Sequence, residues 1–256
     1  MDKIKFLGTA GARFVVIKQL RKSGGIWLTL DDTNILIDPG PGCLNRCISS
    51  KPKLNPMDLD GIILTHRHID HSNDINIMIE AMTNGGFKKK GVVFAPSDAL
   101  IDDPVILKYV REHVEDIKIL KEKGKYKIRN ISFSTPVKHI HGVETYGLNI
   151  YGKNCSISLV TDTKYFKGLE SYYNGDVLIL NVVLFEEKQE ILHLSLEDAE
   201  KIISANKPKL CILTHFGMNI IKAKPWEIAE KLSEKLGVNV IAASDGLELD
   251  LDKFHI

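Results

Sequence analysis

The residues best suited to chemistry are concentrated in one short segment, Thr65-His66-Arg67-His68-Ile69-Asp70-His71. Three histidines and an aspartate within six residues crowd titratable groups together without any gain in packing. Imidazole and carboxylate are the ligands that suit zinc, iron or manganese. In an extended loop His66 and His68 share one direction, which leaves Asp70 and His71 to serve a second ion. The segment therefore predicts a metal site, and we expect Asp70 to take part in catalysis as well as in metal binding.

Two similar strand patterns indicate how these side chains are positioned. Residues 62–64 and residues 211–213 are short apolar runs, and each ends in a Thr-His pair, Thr65-His66 and Thr214-His215. Open α/β folds gather their ligands just past the carboxyl ends of buried strands. We therefore expect His66 and His215 to lie at corresponding positions at the edge of a sheet.

The surrounding patterns favour an α/β fold with two β-sheets covered by helices. Hairpin signals dominate the first sixty residues, whereas strands alternate with helices later in the chain. No Gly/Ser-rich linker divides residues 1–256, so we expect a single domain. Ser195 and Asp198 form the S-x-x-D pattern of a capping box. The predicted helices span 72–84, 196–206 and 225–236, and the predicted strands span 4–7, 26–30, 34–37, 61–64, 92–95, 117–120, 126–134, 136–141, 147–151, 156–160, 177–183, 210–213 and 238–242.

The pattern His-x-His-x-Asp-His after a strand resembles the metallo-β-lactamase superfamily, and the resemblance extends over nearly the whole chain. It implies an αββα sandwich of two mixed β-sheets flanked by helices. His141, which precedes Gly147-Leu148, is similar to the family's third histidine, although His139 competes for that role. Asp162, between a strand and Thr163, resembles the family's bridging carboxylate, and His215 resembles its last ligand.

The resemblance implies a centre for two divalent metal ions. Zinc is the expected metal, with manganese or iron as alternatives. Asp162 would bridge the ions together with a hydroxide, which would attack the substrate. The first ion would be held by His66, His68 and His141, and the second by Asp70, His71 and His215.

His193, which precedes the predicted capping box, is similar to a histidine of the branch that contains ribonuclease Z and cyclic-phosphate phosphodiesterases. In that branch the residue approaches the scissile phosphate as a hydrogen-bond donor or general acid, which a leaving alkoxide needs. The alternative is that His193 only flanks the helix. Residues 142–161 are too few to hold the long arm with which bacterial ribonuclease Z grips tRNA. These observations favour a phosphodiesterase that acts on a small or cyclic phosphodiester.

Two other functions remain open at this point. A carboxylic ester, lactone or thioester hydrolase of the same fold would use the same metals with a tyrosine to polarise the carbonyl, and Tyr165, Tyr172 and Tyr173 are candidates. A metal-binding sensor or scaffold without turnover is disfavoured, because a structural zinc site is closed and needs only four ligands. His113 and His255 are expected to be exposed and without function.

The composition is that of an ordinary globular protein, with 44% hydrophobic and 26% charged residues and a formal net charge of +1. This balance argues against an extended nucleic-acid ligand, so we expect a small-molecule substrate as the partner.

The four cysteines form no CxxC pair and are expected to be reduced thiols. No apolar run is long enough to span a membrane, which favours a cytoplasmic location. A homodimer remains an open alternative to a monomer.

Overall fold

Two β-sheets packed face to face carry the site-forming loops in the computed structural model, which describes residues 2–101 and 103–254. Short, continuous apolar runs separated by turns produce most of these strands. The strands are β1 (Lys3–Phe6), β2 (Ile26–Leu30), β3 (Thr33–Ile37), β4 (Gly61–Ile63), β5 (Val92–Ala95), β6 (Asp116–Ile119), β7 (Gly124–Ile128), β8 (Ile131–Thr135), β9 (Leu148–Tyr151), β10 (Ser156–Val160), β11 (Val177–Leu184), β12 (Leu194–Ser195), β13 (Leu210–Thr214), β14 (Val240–Ala242) and β15 (Glu248–Asp250).

The first sheet has the order β15-β1-β2-β3-β4-β5-β6, and the second has the order β14-β13-β11-β10-β9-β8-β7, with β12 paired to β11. Both sheets are mixed, because β3 to β6 and the group β10, β11, β13 and β14 are parallel while their neighbours are antiparallel. An apolar layer that includes Ile35, Phe133 and Ile179 fills the space between the sheets.

Helices cover the outer face of each sheet and complete the predicted αββα sandwich. The α-helices are α1 (Ala12–Ile17), α2 (Cys43–Ser49), α3 (Ile69–Ser72), α4 (Ile75–Met82), α5 (Leu196–Asn206), α6 (Met218–Lys222) and α7 (Pro225–Leu236), and short 3₁₀ helices span Pro56–Asp58, Ser97–Ala99, Tyr109–His113, Leu169–Tyr172 and Leu251–Phe254. Apolar side chains of α4, such as Met78, pack on the first sheet, and those of α5, such as Ile202, pack on the second. Among the described residues, no helix is long and apolar enough to cross a membrane.

Most predicted elements are confirmed, and the capping box is present in full. Ser195 accepts a hydrogen bond from the Asp198 amide, and the Asp198 carboxylate accepts one from the Ser195 amide. The predicted helix 72–84 corresponds to the shorter α4, and the predicted strand 126–134 is divided into β7 and β8. The helices α1, α2, α3 and α6 were not predicted. The predicted strand 136–141 is wrong, because only Lys138 forms a ladder contact there, an isolated bridge to Tyr146. His255 lies outside the described residues.

The parallel strands bring the sequence motifs to one edge of the sandwich. The motif His66–His71 follows β4, and Asp38 follows the adjacent strand β3. Asp162 follows β10 and His215 follows β13, on either side of β11. Because parallel strands end on the same side of a sheet, the loops of both sheets converge there.

Candidate metal centre

The first group of candidate ligands consists of His66, His68 and His141. Their ligand nitrogens lie within 4.8 Å of one another. His141 Nε2 is 3.0 Å from His68 Nδ1, and the ring of His66 meets both other rings edge to face. The two histidines of the motif therefore face the same side, as predicted for an extended loop.

The second group consists of Asp70, His71 and His215, whose ligand atoms also lie within 4.8 Å of one another. His71 Nε2 is 3.0 Å from His215 Nε2, which in turn is 3.4 Å from Asp70 Oδ2. The short helix α3 turns Asp70 and His71 away from His68. The structure thus brings together the two triads that were predicted from the sequence.

Asp162 lies between the two triads and contacts both. Its Oδ2 is 3.8 Å from His66 Nε2 and 3.5 Å from His71 Nε2. Its Oδ1 is 3.4 Å from His215 Nδ1. The carboxylate is almost completely buried, at 2% exposure, among the candidate ligands of both triads. This is the position that a carboxylate shared by two ions requires.

Three groups outside the triads orient the candidate ligands. The Asp38 carboxylate accepts hydrogen bonds from His71 Nδ1 at 2.9 Å and from the Thr65 hydroxyl at 2.6 Å. The Leu192 carbonyl accepts one from His141 Nδ1 at 3.0 Å. The Asn181 amide donates to Asp162 Oδ1 at 2.9 Å. Such partners fix the orientation of an imidazole or carboxylate ligand.

The sequence analysis did not identify Asp38, which begins the segment Asp38-Pro39-Gly40-Pro41-Gly42. A signal was present, because an aspartate follows a buried strand there. Asp38 also has a positive φ of 53°, a conformation that is sparsely populated by residues other than glycine. The chain tolerates it where the carboxylate holds His71 and Thr65.

His139, the competitor of His141, is directed away from the triads. Its Nδ1 donates to the Asp162 carbonyl oxygen at 3.2 Å, and its Nε2 accepts a hydrogen bond from the Tyr173 hydroxyl at 2.6 Å. Both ring nitrogens are therefore occupied by protein partners. The structure favours His141 as the third histidine and gives His139 a supporting position behind Asp162.

The electrostatics of the centre reflect burial and close opposite charges. Burial lowers the pKa of His66 well below its ordinary value, and the neighbouring His71 adds to this effect. Burial alone would also lower the pKa of His71, but the carboxylates of Asp70, Asp162 and Asp38 raise it well above its ordinary value. Burial would raise the pKa of Asp162, but His215 and His71 hold it well below the usual range. Asp162 therefore stays ionised at neutral pH.

His193 lies against the same carboxylate from the other side. Its Nδ1 is 3.6 Å from Asp162 Oδ2, and its ring meets that of His141 edge to face at 5.1 Å. Burial, with a contribution from His215, lowers the pKa of His193 to about 4 despite the opposing effect of Asp162. The structure thus places His193 at the centre, within reach of a substrate bound there. Its Nδ1 is also close enough to His141 and Asp162 to share a cation with them.

The donor set fits divalent metal ions. Three buried nitrogens, His66 Nε2, His193 Nδ1 and His215 Nδ1, have no hydrogen-bond partner among the described residues. Buried polar atoms are nearly always satisfied, so a group of such atoms around one carboxylate indicates a missing partner. Pairs of imidazole nitrogens lie 3.0 Å apart here, next to carboxylates. Such nitrogen and oxygen atoms are suitable ligands for zinc, manganese or iron.

Two glycines allow the backbone segments around the centre to approach closely. A Cβ added to Gly11 would lie 2.0 Å from the His215 carbonyl oxygen, and one added to Gly40 would lie 2.0 Å from the Asp70 carbonyl oxygen. Neither position has room for a side chain. The loops after β1 and β3 are therefore packed directly on the backbone of the second triad.

The remaining residues singled out by the sequence lie outside the triads. The Tyr165 hydroxyl donates to Glu170, the Tyr173 hydroxyl is held by His139, and Tyr172 is an exposed residue. His113 was expected to be exposed but is half-buried, with Nδ1 3.7 Å from Glu80, because it packs on the turn after α4. All four cysteines are buried and unpaired.

Known proteins resemble this chain over most of its length. The model of the β-lactamase superfamily domain matches residues 33–216. An uncharacterized protein of Methanocaldococcus jannaschii is 29% identical over 97% of this chain and 95% of its own length. A ribonuclease Z of Methanopyrus kandleri is 24% identical over 95% of this chain and 96% of its own length. The crystal structure of a diphosphatase from the PhnP family has a TM-score of 0.71 at 19% identity and covers 98% of both chains.

The fold and the clustered histidines and aspartates define a metal-dependent hydrolase. The chain belongs to the β-lactamase superfamily, with the metallo-β-lactamase arrangement of two mixed sheets between helices. The family predicted from the His66–His71 motif is thereby confirmed.

Proposed function

We propose that the chain is a dinuclear metal-dependent phosphodiesterase that acts on a small or cyclic phosphodiester. The observation that carries the proposal is the arrangement of two ligand triads around one carboxylate, Asp162, with His193 beside it. The similarity to a ribonuclease Z and to a diphosphatase supports it, since both names denote hydrolysis at phosphorus.

Each triad would hold one ion, with Asp162 shared between the two. When bound, two divalent cations supply a water of lowered pKa and neutralise charge on the phosphate oxygens. Zinc is the metal we expect, with manganese or iron as alternatives. The first ion would be held by His66, His68 and His141, and the second by Asp70, His71 and His215.

The chain's own hydrogen bonds keep the ligand atoms directed into the centre. Asp38 fixes the tautomer of His71 by accepting its Nδ1 proton, which leaves Nε2 free for the second ion. The Leu192 carbonyl does the same for His141. Asn181 holds the Asp162 carboxylate in one rotamer. A preorganised set of ligands spends little free energy on reordering when substrate binds.

His193 is suited to protonate the leaving oxygen of the substrate. Its Nδ1 faces the Asp162 carboxylate, which leaves Nε2 to face a ligand. A phosphodiester anion beside the ring favours the imidazolium form, because negative charge raises the pKa of a histidine. Proton transfer from Nε2 to the departing alkoxide then removes the charge that makes it a poor leaving group.

The size of the substrate follows from the short connection between His141 and Asp162. Residues 142–161 consist mainly of β9, β10 and their turns. They form no projecting arm that could grip a folded RNA. Together with the formal net charge of +1, this favours a small substrate over an extended nucleic acid.

The first test counts metal ions. Metal-free protein would be reconstituted with zinc, manganese or iron and the metal bound per chain measured by mass spectrometry. We expect about two ions per chain, one for each triad. His113→Ala is the matched control, since it removes a histidine outside the centre and should leave the count unchanged. A count of none or one after supplementation would contradict the dinuclear proposal.

The second test identifies the reaction. The reconstituted protein would be assayed on bis-p-nitrophenyl phosphate, cyclic phosphates, lactones and thioesters. We expect turnover of the phosphodiesters to exceed that of the carbonyl substrates. Preferential hydrolysis of a lactone or thioester would instead identify a carboxylic ester, lactone or thioester hydrolase of the same fold.

A further inference from the structure

An apolar groove of about 730 Å³ lies beside the candidate centre. Its volume is within the range of small-ligand pockets, roughly 300–1,000 Å³. Its lining comes from α1, the end of β11, the segment that follows β11, and α6. The apolar side chains that line it include Phe14, Phe185, Ile191 and Met218.

The groove and the metal centre share a wall. Ile191 lines the groove, while the next residue, Leu192, accepts a hydrogen bond from the candidate ligand His141. His193 then contacts Asp162. Gly217 also lines the groove, two residues after His215. A molecule held at the centre by its phosphate can therefore extend a substituent into the groove.

The two phenyl rings of the groove lining are open to solvent. Phe14 is 62% exposed and Phe185 is 40% exposed, which is unusual for two phenyl rings that line the same cavity. Burial of such surface under a ligand is favourable, and aromatic rings also attract other rings at their faces and edges.

The charges around the groove suit an anionic ester. Lys188 and Lys222 line it together with one acid, Glu186, so the lining carries one net positive charge. A phosphodiester carries a negative charge next to its substituents. The lining therefore complements the charge of an ester bound at the centre, and the phenyl rings complement its apolar part.

We propose that this groove binds a planar apolar substituent, such as an aromatic ring, of the ester that is hydrolysed at the metal centre. The proposal rests on the proposed function, which supplies the phosphate anchor. It assigns Phe14 and Phe185 as residues that determine which esters are preferred.

The test measures binding of two phosphonates that share a headgroup, by calorimetry on zinc-loaded protein. Methylphosphonate reaches only the centre, whereas benzylphosphonate also offers a ring to the groove. We expect benzylphosphonate to bind roughly tenfold more tightly, because burial of a ring of this size is favourable by at least that factor. Phe14→Ala and Phe185→Ala should each reduce this ratio towards one and leave the affinity for methylphosphonate unchanged.

Phe87→Ala is the matched control, because Phe87 is 92% exposed and does not line the groove. It should keep the full preference for benzylphosphonate. Equal affinity of wild-type protein for both phosphonates would overturn the groove proposal alone. If neither phosphonate binds, the result would count against the phosphate-binding centre. Sedimentation velocity supplies a further check, since dissociation of a dimer by Phe14→Ala or Phe185→Ala would show a subunit interface and overturn the proposal.

Discussion

Acid should destabilise the metal-free protein through His139 in particular. Burial lowers the pKa of this histidine from its ordinary value of 6.5 to about 4. The unfolded chain therefore binds a proton at a pH where the folded chain does not. The stabilising contribution is fully present above pH 6.5 and is lost as the pH falls through 4.

The size of the effect follows from the two pKa values. A difference between 6.5 and about 4 corresponds to roughly 3 kcal/mol of unfolding free energy, of which about 2 kcal/mol is lost by pH 5. Urea denaturation of chelator-treated protein at pH 7.5 and pH 5 would measure it. His139→Asn cannot titrate in this range, so its free energy of unfolding should fall by about 2 kcal/mol less than that of wild type.

Tyr173→Phe provides the matched control. It removes the hydroxyl that donates to His139 Nε2 but keeps the buried, titrating ring, so the pH dependence of wild type should persist. If His139→Asn loses as much stability between pH 7.5 and pH 5 as wild type does, His139 is already protonated in the folded state and the reasoning is wrong.

Further substitutions test the centre itself. His193→Ala should lower kcat by roughly 10²–10⁴-fold for a diester with a poor leaving group and much less for a p-nitrophenyl ester, and the metal content should not change. An equal, small loss of kcat on both substrates would refute the role of His193 as an acid. A loss of metal would instead make His193 a ligand. Asp162→Ala should abolish nearly all turnover and reduce the metal content, both measured on the same preparation. His141→Ala should lose metal while His139→Ala retains it, and the opposite result would reverse the choice of third histidine. Asp38→Asn should weaken metal affinity by roughly 10–100-fold in a chelator competition, because His71 loses its anionic partner.

Local sequence patterns indicated the candidate ligands and most of the regular elements. The spacing within His66–His71 already separates the candidate ligands into two groups, because residues i and i+2 of an extended loop face one way and the following turn redirects the rest. The capping box at Ser195 and Asp198 identified the start of α5, since a cap depends only on residues within one helical turn. The two Thr-His strand ends were likewise visible, as a short apolar run and its polar end are adjacent in sequence.

Long-range contacts decided the features that the sequence left open. The alternatives His139 and His141 are two residues apart in a segment predicted to be a strand, so their periodicity could not separate them. The partners that distinguish them, Tyr173 for one ring and His68 for the other, are far away in sequence. The segment itself has almost no ladder hydrogen bonds, because its side chains and backbone pair with the loop after β10 instead.

Two other features depend wholly on the packing of distant elements. Asp38 directly follows an apolar run in the sequence, and only the parallel pairing of β3 with β4 places its carboxylate against His71. The groove exists because α1, α6 and the end of β11 meet beside the centre. In the sequence, α1 is separated from the other two elements by more than one hundred and fifty residues. Sequence patterns report the periodicity of a single element, whereas a ligand's orientation and a cavity's walls arise from several elements packed together.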